Sequence, residues 1–63
     1  MILVGTLRRA RKGYAGKHEK ALPAGTLVEF DGEFRSPNGW YVARVVERPR
    51  VKVWVRLEEV EPA

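Results

Sequence analysis

A chain of 63 residues makes one small domain, because folding at this size removes only about 60% of the surface exposed by the unfolded chain. No room is left for a second domain or a deep catalytic cleft, and the absence of cysteine excludes disulfides, thiolate metal sites and cysteine nucleophiles together. Twelve Lys and Arg against eight Asp and Glu give a formal net charge of +4, which directs attention to anionic partners.

The apolar run Met1–Val4 stops at Gly5, and basic residues follow it rather than precede it. That is the pattern of neither a signal peptide nor a membrane span, so a soluble, cytoplasmic protein without a membrane partner is expected. Eight Arg, no Gln, one Asn and one Met suit a thermophilic or GC-rich source. No segment sustains apolar residues at helical spacing, whereas several short runs alternate with period two or are Val-rich between Gly, Pro, Asn or Asp, so the chain reads as all-β. Ile2–Leu7 is a first strand, with Leu3, Gly5 and Leu7 on one face and Ile2, Val4 and Thr6 on the other. Residues 8–20 are polar, basic and broken by Gly13 and Gly16, which predicts a long first loop. Leu22-Pro23-Ala24-Gly25 is a turn into a strand at Thr26–Phe30, and Asp31-Gly32 and Ser36-Pro37-Asn38-Gly39 punctuate a further loop.

Trp40–Glu47 and Val51–Leu57 are predicted to pair as a hairpin across Glu47-Arg48-Pro49-Arg50. In the second strand Val51, Val53 and Val55 face the core. In the first, Tyr41, Ala43 and Val45 do so, which leaves Trp40, Val42 and Arg44 outside. A two-residue loop at Arg48-Pro49 would pair Arg44 with Val53 and break this agreement of faces. A three-residue connection or a bulge near Val45-Val46 is therefore required. Leu57-Glu58-Glu59 suits one 3-10 turn before a short last strand at Val60-Glu61.

Five short strands, a long first loop, a tight hairpin and a 3-10 turn before the last strand resemble the plan of an SH3-like barrel. The residues that carry the resemblance are Ala21–Val28, similar to the diverging turn, Gly39–Arg44, similar to the strand with an aromatic pair, and Val53–Val60, similar to the strand and 3-10 turn that end the SH3 pattern. The resemblance implies a five-stranded barrel over residues 1–63. It departs from the SH3 domains that bind proline-rich peptides: the first loop is basic instead of acidic, and Arg56 and Val60 replace the Pro and Tyr that line the peptide groove. Gly39–Val45 also resembles Tudor-like barrels, without the converging rings of an aromatic cage. Val51-Lys52-Val53-Trp54 is similar in place to the pore strand of type II dihydrofolate reductases, with Lys52 in place of the functional Gln. Met1–Gly5 and Val55–Glu61 resemble SH3-like subunits that dock acidic ferredoxin.

Charge is unevenly spread. Residues 8–20 hold Arg8, Arg9, Arg11, Lys12, Lys17 and Lys20 against Glu19, a net of +5, and the remainder nets −1. A basic segment containing Tyr14 can lie along a phosphate backbone and stack on a base, or it is simply a solvated loop. On the outward face of the hairpin, Trp40, Arg44, Lys52, Trp54 and Arg56 interleave indoles with cations, as single-strand nucleic-acid binders do. The competing expectation is that Arg and Lys stems cover the rings. Trp40 is expected exposed, while for Trp54 the balance is towards cover, either by those stems or by the first loop packed over it.

His18 has no second His or Cys with which to hold a metal, and Ser36 with His18 makes no triad. Asp31 and Glu33 lack an enclosing environment, while Glu58, Glu59 and Glu61 read as a solvated edge. Gly13 and Gly16 lack the strand-to-helix setting of a phosphate loop. The expectation is thus a non-enzymatic module without cofactor that binds nucleic acid, DNA or RNA, or a ribonucleoprotein. In that reading Arg8, Arg9, Arg11 and Lys12 neutralise phosphates while Trp40 and Tyr14 stack. The alternative is a docking module that sets the same loop on an acidic protein surface. An edge strand at Ile2 and two surface Trp leave room for a homo-oligomer.

Overall fold

The computed structural model describes residues 2–35 and 37–63, with the side chains of all of these except residues 2 and 31–35. The expectations placed on Ser36, on the face of Ile2 and on the Asp31 and Glu33 carboxyls lie outside the described residues and side chains. Among the described residues the chain forms strands β1 (Ile2–Leu7), β2 (Arg11–Ala15), β3 (His18–Leu22), β4 (Leu27–Arg35), β5 (Tyr41–Val45), β6 (Arg48–Val55) and β7 (Val60–Pro62), with a 3-10 turn at Leu57–Glu59 before β7. They build one antiparallel sheet in the order β3-β2-β6-β5-β4-β1-β7, curled into a half-barrel. The strands number seven rather than five.

Most of the difference lies in residues 8–20, expected as a loop. Arg11–Leu22 is instead a β-hairpin, in register from Arg11 opposite Leu22 to Ala15 opposite His18. Its two-residue turn is Gly16-Lys17, with Gly16 at φ +62° and no non-glycine residue at positive φ. Positive φ confined to the first of two turn residues marks the type II′ turn, whose twist matches that of the flanking strands. Apolar alternation is missing because only Leu22 and Gly13 of this hairpin are buried, so most side chains on both faces meet water.

Strand β4 likewise continues through Asp31-Gly32 to Arg35, with a shift of register against β5 between Phe30 and Arg35. β1 is not an edge: it pairs with β4 on one side and β7 on the other. The edges are β7 and β3, and β3 carries exposed Glu19 and Lys20, charges that discourage pairing with another strand.

In the β5–β6 hairpin the turn is Val46-Glu47, ahead of the expected position. Val45 lies opposite Arg48, yet Arg44 lies opposite Lys52, so Pro49, Arg50 and Val51 are extra residues on β6. Pro49 has no N–H to give a regular ladder and fits such a bulge. The bulge restores the faces demanded by the sequence: Ala43 pairs with Val53 and Tyr41 with Val55, and Tyr41, Ala43, Val45, Val51, Val53 and Val55 are all buried.

Leu7, Leu22, Val28, Phe30 and Val60 complete the core, and among the described residues no polar or charged one is buried with them. Phe30 and Tyr41 pack with ring centroids 5.3 Å apart at 51°, a tilted pair that adds about 0.5–1.5 kcal/mol beyond its burial. The chain end is fixed to the start by backbone bonds from Arg8 N–H to Glu59 carbonyl (2.9 Å) and from Ala63 N–H to Val4 carbonyl (3.1 Å).

Candidate nucleic-acid interface

Cross-strand pairing puts one continuous row of side chains on the outside of the sheet: Glu29 (β4), Arg44 (β5), Lys52 (β6), Tyr14 (β2) and Glu19 (β3), each opposite the next. At the β4 end Arg44 Nε donates to Glu29 Oε1 at 3.1 Å. At the β3 end Glu19 Oε1 accepts a 3.4 Å bond from the Tyr14 hydroxyl and lies 3.8 Å from Lys12 Nζ. These exposed pairs orient side chains more than they stabilise the fold. Lys52, at the middle of the row, has no ion pair among the described residues.

Trp54 stands on the same face, two residues along β6 from Lys52 and opposite Val42. Trp54 is 51% exposed and Tyr14 is 49% exposed. The expectation that the first loop covers Trp54 is therefore overturned: residues 11–22 extend the sheet sideways from β6 as a hairpin and do not fold across it. Along β6 the exposed Arg50, Lys52 and Trp54 alternate with buried Val51, Val53 and Val55, so Arg50 joins this surface. Sequence reasoning misses Arg50 by assigning it to a turn; the unbroken alternation from Arg50 to Val55 is the signal that could have found it.

A second cluster gathers at the start of β2. The Arg11 and Arg56 guanidinium carbons lie 5.2 and 4.8 Å from the Trp40 ring centroid, within cation–π range. Arg11 also donates from Nη2 to the Trp54 carbonyl at 3.1 Å, and its Nη1 sits 2.6 Å from Glu59 Oε2. Glu59 Oε2 is itself buried, and this ion pair with Arg11 is its polar contact among the described residues. Arg11 thus ties β2, the end of β6 and the 3-10 turn together. Trp40, expected to be an open stacking ring, is half-buried with two guanidinium groups over it. Arg11 and Trp40, expected to neutralise phosphate and to stack on a base, are thus engaged with each other.

The predicted residues therefore separate into three groups. Lys12, Tyr14, Arg44, Lys52 and Trp54 share the outer face. Arg11, Trp40 and Arg56 form the cation–π cluster. Arg8 and Arg9 are exposed in the bend after β1, and Lys17 is exposed in the β2–β3 turn.

A shallow depression among Ala10, Arg11, Lys12, Ala21, Leu22 and Pro23 opens broadly to solvent. Among the described residues, no three His, Asp or Glu are grouped as a metal site would require, and no helix is long and apolar enough to cross a membrane. No protein family, curated protein or solved structure matches the chain.

Proposed function

We propose that this chain is a non-enzymatic, SH3-like small barrel that binds nucleic acid, bare or within a ribonucleoprotein, through the outer face of β5, β6 and β2. The observation that carries the reading is the placement of two half-exposed aromatic rings, Trp54 and Tyr14, around Lys52, which has no ion pair among the described residues. Arg50 and Lys12 flank that centre, where the described side chains nearby include the cations Lys12, Arg44, Arg50 and Lys52 and the acids Glu19 and Glu29. Rings supply stacking and the cations neutralise phosphates, the two terms that dominate sequence-tolerant nucleic-acid binding. Arg8, Arg9 and Lys17, free of ion pairs among the described residues, add long-range attraction.

Fluorescence anisotropy with labelled DNA and RNA oligonucleotides over a salt series tests this. Affinity is expected to fall by about 0.7 to 0.9 log units per log unit of salt for each phosphate neutralised. Lys52→Ala is expected to lower that slope by roughly one phosphate. No binding to either polymer at low salt overturns the proposal, and capture of a defined acidic protein that survives nuclease treatment then supports the docking alternative.

A further inference from the structure

We infer, resting on the nucleic-acid reading, that the ligand is single-stranded and that two neighbouring unpaired bases lie on Trp54 and Tyr14. Tyr14 lies opposite Lys52, and Trp54 is two residues from Lys52 along the neighbouring strand. The two aromatic residues are thus a diagonal cross-strand pair, roughly 7–8 Å apart. Bases in a duplex strand rise only about 3.4 Å per step, so their faces are hidden against one another. Rings at about twice that spacing are reached only by bases that have come apart, which a single strand permits at little cost.

The scaffold gives the same answer. Reading a duplex calls for an element that enters a groove, such as a helix or a projecting two-stranded ribbon. Trp54 and Tyr14 instead sit within the broad face of a sheet, on strands flanked by neighbours on both sides. Exposed side chains on such a face do not project far enough to follow a groove to base edges. Lys52 lies beside Tyr14 in the row and between Trp54 and Arg50 along β6, where a phosphate linking the two bases would meet a cation that holds no acid among the described residues. Tyr14, held at its hydroxyl by Glu19 at 3.4 Å, loses less freedom on binding than an unsupported ring would.

Oligo-dT and oligo-U are compared with a duplex of equal length at one low salt concentration, using parent, Tyr14→Ala, Trp54→Ala and Trp54→Phe proteins whose melting is checked first. The single strands are expected to bind at least about tenfold more tightly than the duplex. Each alanine variant is expected to weaken single-strand binding by about 5- to 150-fold, the fold-change equivalent of losing one stacked base. Trp54→Phe, which keeps a stacking face, is expected to retain most of the affinity, and duplex binding is expected to be unchanged by all three. Preference for DNA over RNA, or the reverse, supports the inference equally, since both present the same base faces. Equal affinity for duplex and single strand, or alanine variants that bind single strands normally, overturns the inference while leaving nucleic-acid binding in place. Failure to bind any of the three polymers overturns the underlying reading as well.

Discussion

Replacing Gly5 by Ala tests how tightly the half-barrel is closed. Gly5 is buried in β1, opposite Val28 of β4 and Pro62 of β7. A Cβ at this position would stand 2.5 Å from the Glu61 carbonyl oxygen and 2.5 Å from Val60 Cγ1. The oxygen belongs to backbone and cannot rotate away, so β7 has to move outward by about half an ångström before the contact reaches even the 3.0 Å limit that real Cβ atoms respect. A shift of that size pulls the 3.1 Å bond from Ala63 N–H to Val4 carbonyl beyond useful hydrogen-bond length. It also loosens Val60, a core residue of a strand only three residues long. Overpacking of this kind costs about 1–3 kcal/mol, whereas Gly to Ala stiffens the unfolded chain and returns about 0.4–1 kcal/mol. The net expectation is destabilisation by roughly 1–2 kcal/mol, a fall of about 4–16 °C in Tm for a domain of this size. Thermal melting by circular dichroism measures it, and amide exchange at Arg8 should quicken at the same time. A variant that melts at or above the parent temperature refutes the close-approach argument.

Other substitutions separate the two aromatic clusters and probe the core. Arg11→Ala removes the Glu59 ion pair, the bond to the Trp54 carbonyl and a guanidinium over Trp40, and is expected to cost about 1–3 kcal/mol in denaturant unfolding; an unchanged midpoint would show that Arg11 does not tie the elements together. Trp54→Ala, on the exposed face, is expected to stay within about 0.5 kcal/mol of the parent, and a large loss of stability would mean that the indole packs as core. Val55→Asp places a carboxylate at a fully buried position with no charged residue among those described in the core to pair with it, so the chain is expected to be unfolded by far-UV circular dichroism; a folded spectrum would refute the assignment of faces on β6.

Local alternation is enough to define the β5–β6 hairpin. Val51, Val53 and Val55 opposite Tyr41 and Ala43 admit only one agreement of faces, which is why a bulge near Val45 is legible in the order of residues. The 3-10 turn at Leu57–Glu59 is readable for the same reason, being dictated by residues adjacent in the chain, whereas β1 is apolar on both faces and its order does not say which one turns inward. The β2–β3 hairpin leaves one signal, a Gly at the first position of a two-residue turn. Its strands bury too little for hydrophobic alternation to appear, and the same polar residues suit a loop.

The functional surface divides along a similar line. Composition and order alone determine that the chain is all-β, basic, and furnished with one aromatic residue, Trp54, in alternation with cations on β6. Only the tertiary structure decides which aromatic is available. Sequence order favours Trp40 as the exposed ring, but Arg11, 43 residues away from Trp54, folds back to the strand end and lies over Trp40. Charge follows the same rule. The +5 segment is not a free basic loop, since Arg11 is consumed by Glu59 and Trp40, and Lys12 approaches Glu19. Arg50 and Lys52, from the nearly neutral remainder, stand without an ion pair among the described residues. Net charge is a sum over the chain, but the potential a ligand meets depends on which cations have found acids, and those partners are brought together by folding.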